Sequence, residues 1–306
     1  MEDDARCGAD AVMLAPVMRV VSRHLPKTTK AVVRRWLFKD QHWANPALRA
    51  RGTVQDLYYW TCDARLDTVI VMHNYFSVFF PHLETRTDGM VHVYDRDGGL
   101  LGSRAVELPH QGFEKMRLSW LLERFGHAGL RAGSDGTILF NLRVPSEVQR
   151  AVAPQGERFY FWHRFYIAYT VSGGQPAFVH CVDKTYVFND METTPVRWYR
   201  RAGRYQWAPE MPLNITDYER FSVILMNRTP RHALVTLEVH DREDRSRVWR
   251  QEIPPDGVRR FELTAQLLSG LIPLELRMRI KGMPSPWGRP IVLKEFANGA
   301  ISVMHC

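Results

Sequence analysis

The feature that most constrains the fold is an internal similarity between two stretches of the chain, at 91–122 and 237–268. The same order of residues continues on both sides of these stretches, although the separation of matched residues falls from 153 to 125 along the chain. Such self-similarity indicates one structural unit used twice, with loops of different length. The matched pairs are Asn74 and Asn227, Asp95 and Asp241, Pro109 and Pro254, Gly112 and Gly257, and His180 and His305.

Both copies have the pattern of short strands joined by turns. "VHVYD" in the first copy and "LVTLEVHD" in the second alternate or run apolar over a few residues and stop at an aspartate. Glycine and aspartate in "DRDGG" and "PPDG" supply the backbone conformations that turns require. Two short helices are expected at 119–126 and 264–270, each ended by glycine. This pattern is typical of β-sandwiches or barrels.

We therefore predict an all-β fold of two tandem β-sandwich domains related by internal duplication, with a short helical basic N-terminal arm. The expected boundaries are 1–52 for the arm, 53–190 for the first sandwich and 191–306 for the second. An immunoglobulin-like topology is the nearest analogy, and it concerns architecture alone.

The positive charge of the chain is concentrated in the predicted arm. Nine basic side chains lie between positions 19 and 51, where Asp40 is the one acid, and they account for the whole net charge of +8. The pI near 9.5 therefore describes a basic arm on a neutral body.

Composition narrows the class of protein. The 45% hydrophobic and 24% charged residues are normal for a soluble globular chain. No apolar run approaches the roughly 18 residues that a membrane span requires, and the acidic start is unlike a signal peptide. Four cysteines without CxxC spacing predict neither a disulfide framework nor a zinc knuckle. A reducing, cytoplasmic setting is the simplest expectation.

The doubled ending "FVHC" and "VMHC" raises the question of a metal or catalytic site at His180 and His305. Neighbouring residues on a strand point to opposite faces, so a histidine and the cysteine after it do not easily share a metal. Cysteine in an apolar strand is most often a small buried side chain. We interpret both pairs as closing strands of the two domains.

The densest histidine group is a second candidate metal site. His73, His82 and His92, with Glu84 between them, have a ligand set that suits zinc or iron. Their spacing matches neither an HxH pair nor an HExxH helix, so sequence alone does not bring them together. We expect no cofactor, with zinc or iron at these histidines as the alternative.

No nucleophile motif is present: the chain has no GxSxG elbow, P-loop or strand-associated GxGxxG. Asp56, Asp63 and Asp67 lie near Cys62 in the sequence, and we interpret these acids as a solvated loop.

Aromatic runs offer a candidate ligand surface. "NYFSVFFPH" has no counterpart in the second copy, and "RFYFWHRFYIAYT" is apolar on both faces of a strand. These segments either form a binding rim or pack in the core between the domains. The candidate ligand-binding residues are Tyr75, Phe76, Phe79, Phe80 and Trp162.

The arm contains the best candidate for partner binding. "TTKAVVRRWLFKD" predicts a basic amphipathic helix that could contact an acidic protein or an anionic membrane surface, with nucleic acid less favoured. The alternative is that its apolar side packs on the first sandwich and its charges are solvated. The candidate partner-binding residues are Lys30, Arg34, Arg35, Trp36 and Lys39.

These observations predict a non-enzymatic binding or adaptor protein that contacts an anionic partner through its arm. The alternative is an enzyme, or a small-molecule or metal-binding protein, with its site in the first sandwich or at the domain interface.

Overall fold

The chain folds as four antiparallel β-sheets, so the predicted all-β class is confirmed. All of the described residues belong to one unit that spans Trp43–Cys306, and the unit Met1–His42 lies outside them. The fold is seen in a computed structural model, which describes residues 53–152, 166–171, 174–180, 186–187, 211–227, 232–273, 276–282 and 290–305.

The first sandwich consists of two sheets that bury apolar side chains against each other. Its described strands are β1 (Thr53–Cys62), β2 (Leu66–His73), β3 (Thr87–Asp95), β4 (Leu100–Leu108), β5 (Phe113–Arg117), β6 (Ser134–Arg143), β7 (Tyr166–Val171), β8 (Ala177–His180) and β9 (Tyr186–Val187). One sheet has the order β4-β3-β6-β1-β9 and the other β5-β2-β7-β8. Trp60 and Ile138 from the first sheet and Ile70 and Ile167 from the second are fully buried in the core between them.

Short helices connect these strands. They are α1 (Phe76–Phe79), α2 (Leu118–Arg124), a 3-10 helix (Ala128–Ala132) and α3 (Ser146–Val152). Helix α2 confirms the helix predicted at 119–126, and Gly126 after it adopts a left-handed φ of 81°. The helix predicted at 264–270 is wrong, because that segment forms consecutive turns. No described helix has the length and apolar character that crossing a membrane requires.

The second sandwich also consists of two sheets that bury apolar side chains against each other, with fewer described strands. Its described strands are β10 (Met211–Leu213), β11 (Arg220–Met226), β12 (Ala233–His240), β13 (Ser246–Ile253), β14 (Val258–Leu263), β15 (Leu276–Lys281), β16 (Ile291–Glu295) and β17 (Ile301–His305). The two sheets have the orders β10-β15-β12-β13 and β14-β11-β16-β17. Val235 and Met278 pack against Val223 and Phe261 in its core.

The strand order is the same in both sandwiches. The order β4-β3-β6-β1 corresponds to β13-β12-β15-β10, and β5-β2-β7-β8 corresponds to β14-β11-β16-β17. Strand β9 is the one described strand of the first sandwich without a counterpart among the described strands of the second.

Two aspartates that match in sequence form the same turn. Asp95 Oδ1 accepts hydrogen bonds from the backbone N–H groups of Asp97 and Gly99, both at 2.8 Å, in the β3–β4 hairpin. Asp241 Oδ1 accepts them from Glu243 at 2.9 Å and from Arg245 at 3.1 Å in the β12–β13 hairpin. The carboxylate therefore replaces backbone acceptors at the same place in each hairpin.

Two matched asparagines also have the same role. The side-chain amide of Asn74 donates to the carbonyl of Leu108 at 3.4 Å, and that of Asn227 donates to the carbonyl of Ile253 at 2.9 Å. The backbone N–H of each asparagine donates to a matched glycine further along the chain. Both asparagines are buried, so these bonds fix the end of β2 and of β11 against the next hairpin.

The two sandwiches meet through apolar side chains. Ile224, Met226, Val258 and Leu293 lie on the side of β14-β11-β16-β17 that faces away from its own core, and they join the apolar cluster of the first sandwich. Across this junction, the backbone N–H of Val258 donates to the carbonyl of Arg96 at 3.0 Å. The apolar cluster of the first sandwich therefore extends onto the near side of one sheet of the second, whose own core is a separate cluster.

Candidate functional site

The outer face of the sheet β5-β2-β7-β8 is open to solvent over much of its area. Ile70 and Met116 point into the core, and strand alternation places Val69 and its cross-strand neighbours Arg117 and Ala168 on the opposite side. We call this opposite side the outer face. Alternate side chains of all four strands, including the edge strands β5 and β8, contribute to this face.

A cavity of 730 Å³ lies at one end of the outer face and is bordered by three arginines and two aspartates. Asp67 comes from β2, Arg117 ends β5, and Arg131 belongs to the 3-10 helix. Asp63 and Arg65 lie in the turn between β1 and β2. We call this space the outer-face cavity.

The two carboxylates of the outer-face cavity are already bonded to their own surroundings. Asp63 Oδ1 accepts from the backbone N–H groups of Arg65 at 2.7 Å and Leu66 at 2.6 Å. Asp67 accepts from the backbone N–H of Ser119 at 3.2 Å and from its hydroxyl at 2.8 Å. Two of the three arginines are paired as well, since Arg65 binds Glu295 and Arg131 lies 3.6 Å from Glu123. The exposed Arg117 is therefore the cavity arginine best placed to offer donors to a ligand.

The thiol of Cys62 borders the outer-face cavity and is buried. Burial, reinforced by the neighbouring charge of Asp67, raises the pKa of Cys62 to about 12. The reactive form of cysteine is the thiolate, which is a negligible fraction at neutral pH with such a pKa.

The sequence interpretation of the acids near Cys62 as a solvated loop is wrong for two of them. Asp56 lies within β1 and is fully buried, and Asp67 lies within β2 and binds Ser119. Only Asp63 lies in the turn. Strands β1 and β2 continue through positions that sequence polarity had suggested were a loop.

A smaller cavity of 360 Å³ lies where the two sandwiches meet, and charged side chains line it. Asp135 is 8% exposed; it accepts from the Tyr59 hydroxyl at 3.3 Å and pairs with Arg96 at 3.1 Å. Burial raises the pKa of Asp135, while Arg96 and Arg260 act in the opposite direction.

Arg260 is the centre of this charged junction. Its Nη2 lies 3.2 Å from Glu262 and 3.3 Å from Glu295, and its Nε donates to the hydroxyl of Ser222 at 3.0 Å. Arg65 also binds Glu295, whose side chain is 5% exposed. These charges satisfy one another, which indicates a structural role for the smaller cavity.

Aromatic rings cover the other end of the outer face. The rings of His73 and Tyr166 lie 5.9 Å apart and nearly parallel, at 26°. Phe113, directly opposite His73 on β5, is 67% exposed. The outer face therefore has a cationic end and an aromatic end.

The structure places some of the residues predicted to bind a ligand in the core and others at the surface. Tyr75 and Phe76 are buried, whereas Phe79 is half exposed and Phe80 is partly buried. Trp162 lies outside the described residues, as do Lys30, Arg34, Arg35, Trp36 and Lys39 of the predicted arm.

The three histidines of the predicted metal site do not come together. His73 lies on the outer face, His82 is exposed in a connection, and His92 lies on the opposite sheet, where its Nδ1 is 2.7 Å from the Ser103 hydroxyl. Within the described ranges, no three histidine, cysteine, aspartate or glutamate side chains are placed to hold one metal ion.

The structure brings together two histidines that sequence reasoning assigned to separate domains. The Nε2 atoms of His180 and His305 are 2.8 Å apart. Their matched positions in the two copies were visible in the sequence, but contact between the copies depends on how the sandwiches pack.

No family of known proteins matches this sequence, and none of the curated proteins does. Several solved structures are similar. A Bacteroides uniformis beta-glucuronidase is 9% identical with a TM-score of 0.17, over 86% of this chain and 27% of that chain. A glycosyl hydrolase family 2 member from Bacteroides cellulosilyticus is 9% identical with a TM-score of 0.18, over 83% and 28%. The chain spans less than a third of the length of either, and the similarity carries no argument about activity.

Proposed function

We propose that the protein is a non-enzymatic binding protein that takes an anionic ligand at the outer face of its first sandwich. The observation that supports this is the outer-face cavity, where the exposed Arg117 lies beside Arg65 and Arg131, which pair with Glu295 and Glu123, while the two aspartates are bonded to their own chain. An arginine fork binds a carboxylate or phosphate through paired charge-assisted hydrogen bonds.

The preferred ligand is an acidic segment of a partner protein, with an anionic membrane as the alternative. Aromatic rings at the other end of the outer face, on His73, Phe113 and Tyr166, offer apolar contact area on the same face as the cationic end. Aromatic and arginine side chains together are typical of protein interfaces.

Replacing Arg117 and Arg131 together with glutamine is expected to weaken binding of a fluorescent polyglutamate peptide roughly tenfold or more, because two charge-assisted hydrogen bonds are lost. Fluorescence anisotropy with the full chain measures this. The matched control is Arg242→Gln, an exposed arginine of the second sandwich, which should bind as the wild type does. Equal binding by the double variant, or no binding by the wild type, would refute the proposal. Binding to phosphatidylserine vesicles alone would favour the membrane alternative.

The N-terminal arm is proposed as a second, electrostatic contact with the same kind of partner. Changing Lys30, Arg34, Arg35 and Lys39 to glutamine should weaken binding to anionic vesicles or to the peptide without shifting the melting temperature. Wild-type binding through the arm should also fall steeply with salt, since the screening length shortens to roughly 3 Å at 1 M. A lower melting temperature with unchanged binding would instead assign the arm helix to the core. We place this function in the reducing cytoplasm, with peripheral contact to a membrane where the partner is a lipid surface.

We also infer that the two sandwiches arose by duplication within the chain. The common strand order, the shared Asp95 and Asp241 turns and the shared Asn74 and Asn227 bonds support this inference. Such detailed agreement in buried polar geometry is harder to reach independently than a similar fold alone.

A further inference from the structure

The equivalent edge strands of the two sandwiches meet at a pair of histidines. β8 ends at His180 and β17 ends at His305, and each strand is the last in its four-stranded sheet. Their Nε2 atoms lie 2.8 Å apart, the ring centroids are 4.3 Å apart, and the ring planes are inclined at 76°. Both side chains are partly exposed, so small solutes can reach them.

The ring positions differ from those of a straight hydrogen bond. Hydrogen bonds prefer an almost linear arrangement, and a head-on N–H···N bond of this length would place the ring centres about 5 Å apart. The observed centroid distance of 4.3 Å is shorter, so at least one ring is inclined to the line that joins the two nitrogens.

The distance between the two nitrogens suits two bonds to a shared atom. Two imidazole nitrogens 2.8 Å apart can each lie about 2.1 Å from one ion, which is a metal–imidazole bond length. The angle between the two bonds is then roughly a right angle, as in the tetragonal geometry that Cu²⁺ and Ni²⁺ prefer.

We propose that His180 and His305 bind one divalent transition-metal ion, Cu²⁺ or Ni²⁺ in preference to Zn²⁺, through their Nε2 atoms. Imidazole is a suitable ligand for each of these ions. Because one ligand comes from each sandwich, the ion joins the two copies at their equivalent strands and stabilises the junction. Binding requires both imidazoles to be neutral, so it is lost as they are protonated.

The test is a titration of metal-free full-length protein with CuSO₄, NiSO₄ or ZnSO₄, followed by calorimetry. One ion is expected per chain, with Cu²⁺ bound most tightly. His180→Ala and His305→Ala should each weaken binding at least tenfold, whereas His82→Ala, which removes an exposed histidine elsewhere, should leave it unchanged. The electron paramagnetic resonance spectrum of bound Cu²⁺ should show coupling to two nitrogens in the wild type.

Folding of the variants is checked separately by thermal unfolding with and without Ni²⁺. The ion should raise the melting temperature of the wild type and of His82→Ala, and leave that of both other variants unchanged. Because a cysteine follows each histidine, Cys181→Ser and Cys306→Ser complete the series. Several outcomes would overturn the proposal: no stoichiometric binding by the wild type, equal binding by the alanine variants, or binding that is lost with the cysteines and retained without the histidines.

Discussion

Replacing Arg260 with alanine is expected to lower the free energy of unfolding by about 3 kcal/mol, since it removes the more buried of the two arginines that pair with the buried carboxylate of Glu295. The variant removes one of two arginines from Glu295 and the hydrogen-bond partner of Ser222. Arg65 remains next to Glu295 but is much more exposed, so it only partly compensates. Urea unfolding followed by tryptophan fluorescence measures the change.

A double variant separates charge burial from packing at this junction. Arg260→Met combined with Glu295→Leu replaces the buried pair by apolar side chains, and it should recover most of the lost stability. Arg250→Ala, on an exposed position of the second sandwich, should stay within about 0.5 kcal/mol of the wild type. An Arg260→Ala variant as stable as the wild type would contradict a structural role for the network.

Acid is expected to destabilise the fold through His92 by about 3 kcal/mol between pH 7 and pH 4. Burial lowers the pKa of His92 to about 4 from its ordinary value of 6.5. The unfolded chain therefore takes up this proton first as the pH falls. The stability that His92 contributes is complete above pH 6.5 and is lost through the window down to about pH 4.

The comparison that isolates this effect is the pH dependence of unfolding in wild type and His92→Gln. Glutamine does not titrate, so the slope of stability against pH should be shallower in the variant across that window. His82→Gln, an exposed histidine, should keep the wild-type slope. Parallel curves for wild type and His92→Gln would show that the imidazole is protonated equally in both states.

The fold class could be predicted from short stretches of sequence because the residues that form a turn also make its hydrogen bonds. Asp95 and Asp241 each accept backbone hydrogen bonds from residues two and four positions on, so the turn is encoded within five residues. The helix predicted at 264–270 was wrong because the local sequence does not distinguish the two structures. Ala265, Leu267 and Leu268 followed by Gly270 suit consecutive turns as well as a helix, and tertiary packing decides between them.

The candidate site was harder to predict because its parts are distant in sequence. Arg117 and Arg131 approach Asp63 and Asp67 only when β5 pairs with β2 and the 3-10 helix folds over them. Neither arginine belongs to a motif. If the pairing of β2 with β5 had been known, Arg117 would have been placed opposite Val69 on the outer face. That placement would have been the first indication of a cationic end on this face.

The metal candidates show the limit of spacing as an argument. His73 and His92 are close in sequence but lie on opposite sheets of the sandwich. His180 and His305 are 125 positions apart, yet their nitrogens are in contact. The packing of strands can bring residues together that are distant in sequence, and the spacing of residues within one sandwich does not predict such contacts.

The packing of the sandwiches is asymmetric, and this asymmetry has a consequence for where a ligand can bind. In the second copy, Met226 and Val258 are buried against the first copy; the matched residues in the first copy, His73 and Phe113, lie at the surface. Units that stack head to tail always leave one equivalent face uncovered at the end of the row. Among the described residues, the uncovered face is the outer face, which carries Phe113 and Arg117. Substitutions at these two exposed positions do not alter the contact between the two sandwiches, so this terminal face can vary in sequence independently of the junction.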